Sequence, residues 1–174
     1  MFYLSEMIGE NRINAALKQI IEEYSYKGPP YPTAYALVDR LREQTPEELR
    51  YLIKDLFEDI TLFENKTTKA TAEKLENGKY RVKIDVVCVK KKADAIGKET
   101  EVPMNDYLEV GAYSKPESGK RYGKLLHRER VLLSEGEHSL EFEVDELPHE
   151  AGIDPRHLLI DPVLADNLKR VVVK

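Results

Sequence analysis

The spacing of apolar positions changes once along the chain, near residue 62. Up to that point apolar residues recur at three and four, the signature of helices with one buried face. Beyond it they mostly alternate with polar ones, the signature of half-buried strands. The clearest helical signal starts at Thr45-Pro46-Glu47-Glu48, where Thr45 and Glu48 form a capping box and Pro46 fits the first helical position. Leu49, Leu52, Ile53, Leu56, Phe57 and Ile60 then form one stripe. Burial of each such side chain is worth about 1.5–3 kcal/mol, so this stripe needs a packing partner. An earlier helix is predicted from about Glu10 to Tyr24, with Ile13, Leu17, Ile20, Ile21 and Tyr24 on its apolar side. Gly9 ahead of it ends a short helix over Phe2 to Ile8. Two turns are too few to stand alone, which suggests a chain truncated at its start. Thr33 caps a further helix from Ala34 to about Glu43. The preceding Gly28-Pro29-Pro30-Tyr31-Pro32-Thr33 stiffens a turn between helices rather than offering a ligand to a proline-reading module.

In the second region Tyr80, Val82, Ile84, Val86 and Cys88 alternate with Arg81, Lys83 and Asp85. Asn77-Gly78 before them is a hairpin turn that pairs this strand with one near Thr67 to Leu75. Val102 to Tyr113 gives a further strand or strand pair. Leu125 to Leu133 and Ser139 to Val144 flank Ser134-Glu135-Gly136-Glu137 and read as a second hairpin, with Leu140, Phe142 and Val144 inward. Leu158 to Ile160 and Val171 to Val173 add two short strands. The expected fold is therefore α+β: a short N-terminal bundle of three to four helices over residues 1–62, then an antiparallel Ig-like β-sandwich of about seven strands over 63–174.

Composition narrows the function classes. The 174 residues are 41% hydrophobic and 34% charged, enough for a real core. No apolar run reaches membrane-spanning length and no charged-then-apolar leader opens the chain. The net charge of −5 argues against a broad nucleic-acid surface. It divides into −4 for residues 1–62, with seven basic and eleven acidic side chains, and −1 for the remainder.

Candidate chemistry is sparse. The single cysteine, Cys88, excludes an internal disulfide and reads as a buried structural thiol. The four histidines, His127, His138, His149 and His157, lack the H-E-x-x-H spacing of a zinc-hydrolase helix. The best available metal set is His149, Asp154 and His157, but Asp154-Pro155 and Asp161-Pro162 are the better fit to turn chemistry. Asp154, Asp161 and Asp166 do not have calcium-loop spacing. No G-x-S-x-G or glycine-rich phosphate loop occurs. Lys90-Lys91-Lys92 reads as a solvated strand edge that resists sheet-to-sheet pairing. The ten tyrosines fit half-buried packing. No catalytic, cofactor-binding or metal-ligating residue is assigned.

Several stretches resemble one family. Phe2-Tyr3-Leu4-Ser5-Glu6-Met7-Ile8-Gly9-Glu10-Asn11, with the helix of Ile13 to Tyr24, resembles helices that follow the active site in gluzincin aminopeptidases of the aminopeptidase N type. The Gly28 to Thr33 segment and Leu52-Ile53-Lys54-Asp55-Leu56-Phe57-Glu58-Asp59-Ile60-Thr61-Leu62 are similar to the bacterial subgroup fused to an ABC-transporter permease. Gly97 to Pro103, Ala151-Gly152-Ile153-Asp154-Pro155 and Leu159-Ile160-Asp161 continue the likeness. The resemblance implies a non-catalytic C-terminal fragment of a zinc-aminopeptidase-like membrane protein. In that family the zinc ligands and catalytic tyrosine precede the stretch matched here, so zinc is implied for the parent and no cofactor for this fragment. The implied partners are the rest of the parent chain, its peptidase lobe and membrane region. Nucleic acid is not implied; the fragment is expected to be monomeric, and the resemblance implies a soluble domain of a bacterial inner-membrane protein on a side of the membrane that the sequence does not give. The alternative is an independent β-sandwich binding module that contacts a transporter subunit or peptide through Lys90 to Lys92 or the Glu-rich turn at Gly136.

Overall fold

The computed structural model describes residues 1–174 as a mixed α+β chain that divides into two compact units, Met1–Thr61 and Leu62–Lys174. The first unit holds α1 (Phe2–Ile8), α2 (Glu10–Tyr24), α3 (Ala34–Gln44) and the short α4 (Tyr51–Ile53). Gly9 joins α1 to α2 at φ 92°, a backbone geometry that side chains with a Cβ rarely adopt. Tyr3, Leu4, Ile8, Ile13 and Ala16 are buried in this unit, and Arg40 of α3 reaches Glu23 of α2 at 3.0 Å. Leu17 and Ile21, expected on the apolar side of α2, are exposed instead.

The helix expected from residue 45 to 60 does not form as one piece. Thr45 Oγ1 donates to Leu41 O at 2.7 Å, so this hydroxyl closes the end of α3 and leaves the next helix uncapped. Pro46 is extended, with ψ 147°. Beyond it the chain makes a 3₁₀ turn at Glu47–Leu49, then α4, then a π-helical turn at Lys54–Glu58 closed by Asp59 N donating to Lys54 O. Widening the last turn rotates the stripe out of phase. Leu49, Leu52 and Ile53 stay buried, Leu56 and Phe57 are half-buried, and Ile60 is 56% exposed at the start of a strand.

The strands form three sheets. In the first, β1 (Ile60–Phe63), β4 (Lys90–Ala93) and β5 (Glu99–Val102) lie in that order. The second has the order β10 (Leu168–Arg170), β9 (Glu150–Ile153), β6 (Asn105–Tyr113) and β7 (Leu125–Ser134). The third is β11 (Val172–Val173), β2 (Lys66–Lys74), β3 (Tyr80–Cys88) and β8 (Gly136–Val144). The registered pairs are antiparallel except β11 with β2. The Asn77-Gly78 turn joins β2 to β3 as the spacing predicts, with Gly78 at φ 85° and Leu75 N donating to Lys79 O at 2.8 Å. Val82, Ile84, Val86 and Cys88 are buried, and Phe142 and Val144 are the buried positions of β8.

Three strand expectations are corrected. β7 and β8 do not pair: β7 lies against β6 and β8 against β3, so the chain changes sheet at Glu135. The Glu135 carboxylate accepts from Met104 N at 2.9 Å, which fixes that crossing and holds the carboxyl below its usual range. Lys90 to Lys92 lie on the central strand of their sheet rather than on an edge. The Lys90 ammonium is buried 3.0 Å from both Asp106 carboxylate oxygens, and Lys91 reaches Glu64 at 2.5 Å. Leu158 to Ile160 form no strand, because the Leu158 and Leu159 amides donate to the Asp154 carboxylate instead of to a ladder.

Candidate functional site

The polar centre of the strand unit is built around the turn after β9. Asp154 and His157 both have positive φ, 41° and 52°, positions where a non-glycine residue persists only if its surroundings hold it. The two Asp154 carboxylate oxygens accept from Leu158 N at 2.9 Å and Leu159 N at 3.1 Å. Asp154 N donates to Glu109 O at 2.7 Å, and His157 N donates to Asp154 O at 3.0 Å. Burial raises the Asp154 carboxyl above its usual range, opposed by the two amides and by nearby His157.

The rest of this turn is held from β6. Arg156 makes a two-point contact with the buried Glu109 carboxylate at 2.8 and 2.6 Å. Tyr113 Oη donates to Pro155 O at 3.0 Å, and burial pushes its phenol upward. Tyr122 stacks on Tyr113 with ring centres 5.2 Å apart, and its hydroxyl lies 2.7 Å from His157 Nε2. His157 Nδ1 is buried without a hydrogen-bond partner.

His149, Asp154 and His157, set aside above in favour of turn chemistry, are not arranged as a metal set. His149 lies just before β9, with its N donating to Tyr113 O and its carbonyl accepting from Val171 N. Asp154 and His157 are committed to the turn. No group of three or more His, Cys, Asp or Glu side chains is arranged to hold a metal ion. Asp161 is similarly engaged: Oδ1 accepts from Val163 N at 2.8 Å and Oδ2 from Asn65 N at 3.0 Å, across 96 residues of chain. Asn167 completes this tie, its amide nitrogen 2.8 Å from Asn65 O and 3.3 Å from Asp161 Oδ2 in the orientation that pairs donor with acceptor.

Cys88 is fully buried on the core face of β3, and desolvation pushes its thiol up to about 12. A thiol in that state is a poor nucleophile. The carboxylates of Asp154, Asp161 and Glu109 act as acceptors that fix backbone and cation positions, and the Tyr122–His157 pair joins a loop to a turn. Glu109, Tyr113, Tyr122 and Arg156 escape a reading of the sequence. Glu109 sits in a run where both strand faces are buried, and its charge is met by the distant Arg156 and by Arg130 opposite it on β7, 3.7 Å away.

No protein-family model and no curated protein matches this chain.

Proposed function

We propose that the chain is the non-catalytic C-terminal portion of a protein related to gluzincin aminopeptidases, of the bacterial kind fused to an ABC-transporter permease. The helices within residues 1–62 form a bundle that completes a peptidase lobe. Residues 63–174 are an Ig-like β-sandwich, with the two four-stranded sheets as its layers, that buttresses the lobe. One observation carries this reading: the helical unit leaves large apolar side chains in solvent, including Phe2 at 65%, Ile21 at 61% and Tyr35 at 77% exposure. In this reading these side chains are where the rest of the peptidase lobe packs. The strand unit supports the same role, since its buried charged groups are spent on bracing. Zinc, where the parent carries it, belongs outside these residues. No helix is long and apolar enough to cross a membrane, so any helical span of such a parent lies elsewhere.

Zinc analysis of the purified chain and an assay on aminoacyl anilides test the proposal. The expected result is no turnover and no stoichiometric zinc; either one contradicts it.

A second reading, an independent binding module for a transporter subunit or peptide, draws on β7 and β8. Both are long strands that end their sheets and leave one row of backbone groups unpaired. Retention of such a partner by the immobilised full chain, lost when proline is placed in β8, favours it.

A further inference from the structure

A cleft of about 200 Å³ lies where the segment 161–166 meets the start of β2 and the end of β3. Asn65, Asp161 and Asp166 form its polar side, and Val87, Val89 and Val163 its apolar side. The exposed Glu64 and Lys66 complete the lining. Part of this polar surface is committed. Both Asp161 carboxylate oxygens accept from backbone amides, and Glu64 pairs with Lys91.

Three buried atoms are not committed. The Asn65 side chain is 1% exposed, and neither its Oδ1 nor its Nδ2 has a hydrogen-bond partner. Asp166 Oδ1 is likewise buried without a partner. Each such orphan costs about 1–3 kcal/mol, so a molecule that supplies the missing partners recovers that cost on binding. Lys66 is the fourth uncommitted group, exposed and in no ion pair. Two acceptors, one donor and one cation beside three valines define the complement: two N–H donors, an anionic acceptor and an apolar body. One water could meet the polar atoms, but it takes up only about 30 Å³ and offers nothing to the valines.

We propose that this cleft binds a free α-amino acid with a branched apolar side chain. The ligand's ammonium donates to Asp166 Oδ1 and Asn65 Oδ1, and its carboxylate accepts from Asn65 Nδ2 and Lys66 Nζ. Its side chain lies on Val87, Val89 and Val163. The frame is set before binding, because Asn65 N donates to Asp161 Oδ2 at 3.0 Å and Glu64 N to Val89 O at 2.9 Å. Little ordering entropy is then lost when the ligand enters. Neither zinc nor peptidase chemistry enters this site, so it stands or falls separately from the supporting role.

Amide NMR of the full chain, titrated at constant pH and ionic strength with L-leucine, N-acetyl-L-leucine or 3-methylbutylamine, tests the site. Saturable shifts with leucine, confined to residues 64–66, 87–89 and 161–167, are expected. The N-acetyl compound lacks the ammonium and the amine lacks the carboxylate, so each is expected to bind at least ~10-fold more weakly. Lys66→Met is expected to weaken leucine at least ~10-fold with an unchanged melting temperature, because its side chain is exposed. Asp166→Asn, which keeps the shape and removes the charge, is expected to do the same. The control Lys69→Met on β2 keeps the affinity. Shifts that are linear in leucine, equal with either analogue, or indifferent to Lys66→Met overturn the proposal. The absence of any shift means that water alone meets the orphaned atoms, and overturns it too.

Discussion

The Lys90 ammonium and the Asp106 carboxylate form an ion pair sealed from solvent, with side chains 7% and 3% exposed and both oxygens at 3.0 Å. It links the central strand of the three-stranded sheet to β6 of another sheet, and the Phe63 ring centre lies 5.7 Å from the same ammonium. Removing one partner strands a buried charge. Asp106→Ala and Lys90→Met are each expected to cost about 3–5 kcal/mol, whereas Lys90→Met with Asp106→Leu returns most of that loss. Urea denaturation of the singles and the double checks this; a double no better than the singles would show that the pair is not what holds the sheets.

Thr67 of β2 is shared between two elements: Oγ1 donates to Asn167 O at 2.6 Å and accepts from Ile153 N at 3.2 Å. Gly152 lies against the same spot, where a Cβ would come 2.0 Å from Asn167 O and 2.3 Å from Thr67 Oγ1. Thr67→Val is expected to cost about 1–3 kcal/mol and Thr67→Ser much less. Gly152→Ala should lower the urea midpoint further than either, because backbone atoms must move.

Asp154 has a carboxyl raised by burial, so the folded state holds its proton more tightly than the unfolded chain. Its contribution to stability is therefore greatest at low pH. It falls as pH rises from the usual carboxylate value through the raised one, then levels off. Asp154→Asn, which tolerates positive φ, should remove this descending segment from the pH–stability curve. Asp154→Ala loses both amide contacts and is expected to cost about 2–3 kcal/mol. An unchanged pH profile in Asp154→Asn contradicts the assignment.

Cys88, with its thiol at about 12 against an ordinary 9.0, has about a thousandfold less thiolate than a free cysteine at neutral pH. Native protein should resist iodoacetamide on the scale of hours, and the labelling rate should rise to the free-thiol rate in denaturing urea. Rapid labelling of folded protein would contradict the burial.

The Asn77-Gly78 hairpin and the buried face of β3 were legible because both are local: one dipeptide and one alternation decide them. The partner of β8 was not. Alternation in Leu140, Phe142 and Val144 fixes which face is inward, and it is the same whether β8 pairs with β7 or β3. Thr45 misled for a related reason, since one hydroxyl serves either the helix behind it or the one ahead, and Leu41 O takes it. Three consecutive lysines suggest solvent until the strand two elements on supplies Asp106. The polar turn was visible as Asp154-Pro155, but Glu109 and Tyr122, which hold it, are 45 and 32 residues away from Asp154 in the chain.

Hydrogen exchange across the full chain tests the supporting role most directly. A helical unit with Phe2, Ile21 and Tyr35 in solvent should open locally more readily than the cross-braced strands. Amides of α1 and α2 are expected to exchange at least ~100-fold faster than those at the centre of β3, a gap of about 2.7 kcal/mol in opening free energy. Equal protection of the two units would mean that the helices are complete in themselves and would contradict the supporting role.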